Sequence, residues 1–173
     1  MAVVFLKSLG ITNRDAQPPV LDTAGYQGAP ARLVEAFDFI ASLTAAASIA
    51  SVFRMVSVPS NAVMSSIKVY SEAQTAGAVS IGVYRNTKDG GLVAIATADV
   101  FFTTGLSIAA AVNGTEVLSL ATTLNTIDKM DQPIWQAIGL AADPVALFDI
   151  CATVTTAITT GLGRFGVRAQ YKI

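Results

Sequence analysis

The segment Ala78–Arg85 has the sequence AVSIGVYR, in which Val79, Ile81 and Val83 alternate with Ser80, Gly82 and Tyr84. A period of two puts the branched residues on one face of an extended strand, the pattern of a half-buried β-strand. The preceding segment, Val63–Ser71 (VMSSIKVYS), repeats it, with Ile67 and Val69 set against Lys68 and Tyr70. Working outward, residues 51–58 form another branched run, closed by Pro59, Ser60 and Asn61. Residues 33–42 are rich in aromatic and branched side chains, with Phe37 and Phe39 on one face. Downstream, Asp89, Gly90 and Gly91 make a strong turn signal before a strand at 92–96. Residues 147–157 predict a strand, the region of Gly161 and Gly163 a turn, and 164–172 a last strand. In that last strand Phe165, Val167, Ala169 and Tyr171 share one face, and Arg164, Arg168 and Lys172 the other. About eight strands with regularly spaced turns define an all-β chain. The fold expected is a β-sandwich, with a jelly roll the natural candidate.

The remaining segments are less regular. Residues 99–111 fit a strand and loop or a short helix. Asn113 and Gly114 predict a turn leading into 115–120, and 125–138 predicts one short helix interrupted at Pro133. The alanine-rich stretch 44–50 fits a helix, a close-packed sheet contact or a loop. Residues 10–30 carry Pro18, Pro19, Gly25, Gly28 and Pro30, which break any regular element. The expected organisation is an N-terminal segment and arm over 1–30, followed by one β-sandwich domain over 31–173. The arm either packs along the surface or reaches a neighbouring subunit.

At 173 residues the chain can bury one core without disulfides or metals. Hydrophobic residues make up 53% and mean hydropathy is +0.57, so membrane spans need checking. The longest uncharged stretch, between Asp99 and Glu116, is interrupted by Thr103, Thr104, Gly105, Ser107, Asn113 and Gly114. That does not make the run of about 20 apolar residues a spanning helix needs. Charged residues are 13%, against roughly 25% in an average soluble domain. Burial of surface against partners accounts for such scarcity, and a homo-oligomer or larger assembly is expected. Net charge is −1 and the basic residues are scattered, so neither a specific nucleic-acid partner nor a membrane is expected. Residues 1–9 carry only Lys7 and a short apolar run without a secretory cleavage pattern. Cys151 is the single cysteine, which suits assembly in a reducing cytoplasm.

The chain has no histidine. This removes the commonest general base and metal ligand, and with them the histidine-based hydrolase arrangements. One cysteine excludes a thiolate zinc site within the chain. Asp128 and Asp131 are close in sequence but flank Lys129, and they fit a solvated helix start better than a glycosidase pair. Asp143 before Pro144 fits a turn. No enzymatic activity and no cofactor are expected. Asp38, Arg54, Asp99 and Asp149 stand in apolar strands, where a charge needs pairing or solvent. An intersubunit ion pair is one reading; an outward position or an intrachain pair is the simpler one. Trp135, beside Ile134 and Ile138, fits a core or interface anchor rather than a sugar platform. The candidate interface residues are Pro18, Pro19 and Tyr26 in the arm, together with Arg54 and Trp135.

Several segments together resemble the small head decoration, or cement, proteins of tailed bacteriophages. They are RMVSVPSNA at 54–62, GAVSIGVYR at 77–85, Asp89-Gly90-Gly91, WQAIGLAADP at 135–144, Phe148-Asp149-Ile150 and the final strand ending at Tyr171. In particular they resemble the jelly-roll cement protein of short-tailed phages, over roughly residues 30–173. The resemblance implies a β-sandwich on the outer capsid surface, with the major capsid protein as partner, and it brings no catalytic residues. The alternatives left open are another virion component, such as a tail or coat subunit, and a carbohydrate-binding β-sandwich.

Overall fold

The computed structural model describes residues 5–7, 32–43, 47–87, 101–118, 129, 131–158 and 163–173. Nine strands are formed among them: β1 (Phe5–Lys7), β2 (Leu33–Ile40), β3 (Val52–Pro59), β4 (Val63–Ser71), β5 (Ala78–Arg85), β6 (Thr103–Ser107), β7 (Val112–Glu116), β8 (Leu147–Thr156) and β9 (Phe165–Lys172). A single turn of helix, α1 (Ile134–Ala137), lies between β7 and β8. No helix among the described residues is long and apolar enough to cross a membrane.

The pairing defines the fold. β2 pairs with β9, β3 with β8, β4 with β7 and β5 with β6, every pair antiparallel. Eight strands that pair first with last, and so inward, form one long antiparallel ribbon. Rolling that ribbon brings β4 beside β9 and β5 beside β8. The result is two sheets, ordered β2-β9-β4-β7 and β1-β3-β8-β5-β6. This is the expected jelly roll. The ninth strand, β1, lies within the N-terminal segment marked off from sequence and adds in parallel to β3.

The core lies between the sheets. Phe165, Val167 and Ala169 of β9, with Ile67 and Val69 of β4, are fully buried and face Phe53, Val58, Val79, Ile81, Val83, Ile150 and Ala152 of the other sheet. Phe53 and Phe165 meet edge to face across the sandwich, 5.9 Å between ring centres. The five-stranded sheet departs from the half-buried pattern, because its outward face is also buried. Ser80 and Tyr84, set opposite the core residues by alternation, are 1% and 4% exposed. Val52, Tyr84 and Cys151 make a second, small apolar cluster there, and Tyr84 Oη hydrogen-bonds Thr153 Oγ1 at 2.6 Å.

Two local expectations are corrected. Asn113 and Gly114 form no turn; both lie inside β7. Tyr70 pairs with Asn113 and Val69 with Thr115, so Gly114 is the extra residue of a β-bulge with φ +72°. Pro133 does not interrupt a helix. It stands at the N-cap of α1, where its missing N–H costs no hydrogen bond, and its carbonyl accepts from the Gln136 and Ala137 N–H groups. Within the segment 99–111 the described residues, 101–111, take the strand-and-loop alternative, with β6 flanked by loop. At 47–51 the backbone is a turn, closed by Ser51 N–H to the Ser48 carbonyl. The turn at 89–91, the strand at 92–96 and the arm at 10–30 lie outside the described residues.

Candidate interaction surface

The strand register places three aromatic side chains together on the outer face of the four-stranded sheet. β2 has apolar residues on both faces, and β9 decides which face turns inward. Ala36 and Ile40 pair with Ala169 and Phe165 of the core, so Phe37 and Phe39 point out. They remain 50% and 44% exposed. On the far side of β9, Tyr70 of β4 occupies the same face and is half-buried.

Gly166 separates them. It pairs with Phe39 on one side and Tyr70 on the other, and it contributes no side chain. The gap forms the floor of a trough of about 550 Å³, walled by Phe37 and Phe39 against Tyr70, Val112 and Asn113. A glycine inside a strand weakens pairing and often marks a close approach from outside. A Cβ on Gly166 would stand 3.3 Å from both Phe37 Cε2 and Phe39 Cβ, so the rings use the space it vacates. Phe37 stacks on Phe39 at 6.3 Å and 26°, and meets Tyr70 edge-on at 6.1 Å.

Charged groups frame the trough. Arg168, one pair further along β9, holds its guanidinium 5.6 Å from the Phe37 ring centre and 5.7 Å from that of Tyr70. Cation–π contacts at exposed sites contribute about 0.5–1 kcal/mol each. Its Nε lies 3.6 Å from Glu35 Oε1, an exposed pair that adds little to stability. At the opposite end are Arg164 and Glu72, whose carboxylate accepts the Arg164 backbone N–H at 3.0 Å.

Of the sequence-derived candidates, the two that lie among the described residues, Arg54 and Trp135, do not line this trough. Pro18, Pro19 and Tyr26 lie outside the described residues. Trp135 is half-buried against the core, and its backbone N–H donates to the Ser60 carbonyl at 3.1 Å. Arg54 is 1% exposed and forms an ion pair with Asp149, itself 0% exposed, so its side chain is interior and no surface contact is open to it. Arg54 Nε donates to Asp149 Oδ2 at 2.9 Å, and Ser57 Oγ donates to Oδ1 at 2.6 Å. The charges noted in the strands are thus satisfied within the chain at this pair. Of the two acids read as a helix start, Asp131 is exposed in a turn and Asp128 lies outside the described residues. Among the described residues no three side chains of metal-binding type cluster.

The sequence pattern puts Phe37 and Phe39 on one face, but it does not tell that this face meets solvent. The legible signal was Gly166, a glycine in an otherwise bulky alternating strand.

No protein-family model and no curated protein sequence matches the chain. Its fold was compared with solved structures. It is similar to a chain of the cyanophage Pam1 capsid asymmetric unit at a TM-score of 0.43 and 11% sequence identity, covering 87% of this chain and 91% of that one. A likeness at that level carries no weight for function.

Proposed function

We propose that this chain is a structural protein of a bacteriophage particle, bound to the outer surface of the capsid, where it stabilises contacts between major capsid subunits. The observation that carries the proposal is the aromatic face of the four-stranded sheet. Phe37 and Phe39 stay about half exposed, at 50% and 44%, on a chain with only 13% charged residues. Contiguous exposed apolar groups mark interaction surfaces, and burying them against a partner gains roughly 25 cal/mol per Å². The resemblance of residues 30–173 to phage cement proteins supplies the class of partner. The role is non-catalytic and needs no cofactor, since the proposed work is area burial across subunit seams.

The test is addition of the purified chain to undecorated capsid shells. Saturable binding and a higher temperature of shell disruption are expected. Absence of both would refute the proposal, and self-assembly into tubes or shells without a partner would identify a tail or coat subunit instead.

A further inference from the structure

We infer that β2 is a pairing edge: two copies of this chain join β2 to β2, antiparallel about a two-fold axis, so that their four-stranded sheets run on as one. Such a dimer forms whether or not the chain also binds a capsid.

The register fixes which backbone groups of β2 point outward. One step beyond the Ser71–Phe165 pair of β4 and β9, the Glu72 N–H donates to the Arg164 carbonyl at 3.0 Å. Backbone groups alternate sides along a strand, so Gly166, Arg168 and Gln170 also bond toward β4. Phe165, Val167, Ala169 and Tyr171 then bond toward β2, where their partners are Ile40, Asp38, Ala36 and Val34. Leu33, Glu35, Phe37 and Phe39 therefore aim their N–H and C=O groups away from β9, to a side where no strand lies among the described residues. Asp38 closes one end of this edge, its Oδ1 accepting the Phe39 N–H at 2.8 Å.

The other edges among the described strands are blunted. β1 has three residues, and β6 and β7 have five each. The pairing of β6 slips between Val79 and Ile81, and β7 carries the Gly114 bulge. Short strands and bulges are the usual guards against edge-to-edge pairing. β2 has neither: eight residues run in unbroken register with β9, without proline or glycine, and Leu33, Phe37 and Phe39 are exposed along it. A long, regular, apolar edge is a template for another strand.

The outward groups call for an extended backbone, and the side chains of β2 complement a second β2. With Ala36 on the axis, Glu35 lies opposite Phe37 of the second copy and Leu33 opposite its Phe39, so no like charges face each other. Each Glu35 then comes beside a Phe37 ring that already carries the Arg168 guanidinium. An axis at Glu35 sets two carboxylates face to face, and an axis at Phe37 leaves Leu33 beyond the end of the pair. The bond is made through the backbone edge. Phe37 and Phe39 still face outward, and the aromatic faces of both copies lie on one surface.

Sedimentation equilibrium of the full chain, without shells, tests the inference, with each variant checked for folding by circular dichroism. The wild type should be a dimer. Glu35→Pro removes an outward N–H but no bond to β9. Leu33→Lys/Phe39→Lys puts like charges opposite each other across the axis. Each of these should weaken dimerisation at least about tenfold. Leu33→Lys/Phe39→Glu puts opposite charges there and should recover it. If Glu35→Pro misfolds, the two double variants, at exposed positions, carry the test. A monomeric wild type overturns the inference, as does a dimer that all three variants leave unchanged. Loss in Leu33→Lys/Phe39→Lys without recovery in Leu33→Lys/Phe39→Glu overturns the pairing about Ala36. A monomer that binds shells and loses them with Glu35→Pro would mean that a strand of another protein takes this edge, which overturns the inference and leaves the capsid reading intact.

Discussion

Arg54 of β3 and Asp149 of β8 form a buried ion pair although they are not opposite each other in the sheet. Arg54 pairs with Cys151, and Asp149 pairs with Ser57. The β3 register slips between Arg54 and Val56. That bulge brings Arg54 and Ser57, three residues apart, onto one face, and both reach the same carboxylate. Cys151 adds its thiol to the Asp149 carbonyl at 3.7 Å.

Removing one partner strands the other charge in the interior. Asp149→Ala should therefore cost about 3–5 kcal/mol. The double variant Arg54→Met/Asp149→Leu should cost far less, since no charge is left buried. Urea unfolding midpoints at constant slope report both; a single variant as stable as the double one would show that the pair contributes nothing.

Gly114 holds the β7 bulge at φ +72°, and an added Cβ would lie 3.2 Å from Tyr70 Oη. Gly114→Ala should destabilise by about 1–2 kcal/mol through the left-handed backbone alone. The contact with Tyr70 predicts an accompanying change in tyrosine fluorescence. Unchanged melting would mean the bulge relaxes at no cost.

Two phenylalanines, Phe39 after Asp38 and Phe165 after Arg164, have similar sequence neighbours but opposite positions. Phe165 is 0% exposed and Phe39 is 44% exposed. Phe165→Ala should cost about 3–5 kcal/mol as a cavity in the core. Phe39→Ser should stay within about 0.5 kcal/mol of wild type. Equal losses in thermal unfolding would place Phe39 in a structural role and weaken its assignment to docking.

Val145 sits at φ +49° and is 87% exposed. Its conformation is held by the Asp143 side chain, which accepts the Val145 N–H at 2.9 Å and the Ser60 hydroxyl. A β-branched residue is strained there and asparagine tolerates the region. Val145→Asn should raise stability by about 1 kcal/mol, checked by the unfolding midpoint; a decrease would mean the valine makes a stabilising contact.

Much of the strand arrangement was legible locally. Ala78–Arg85 and Val63–Ser71 match the strands at both ends, and the inward set of the last strand, from Phe165 to Tyr171, follows its alternation. Asn113-Gly114 misled, because the same dipeptide serves a hairpin turn or a bulge and only the pairing of Tyr70 distinguishes them. Pro133 misled because a proline breaks a helix from within and starts one from its first turn.

Period-two patterning and turn chemistry are properties of neighbouring residues, so the chain itself determined its β class, its strands and its lack of histidine chemistry. Which apolar face turns outward is a property of register between segments far apart in sequence. Phe37 and Phe39 could have been core. Their position outside, across Gly166 from Tyr70, follows only when β9 is inserted between β2 and β4 with Ala169 and Phe165 facing in. The fate of Arg54 was likewise settled by a carboxylate 95 residues away and a single-residue bulge. Burial and ion pairing are decided in three dimensions, and the aromatic face offered to a partner is what remains once the core has taken its share.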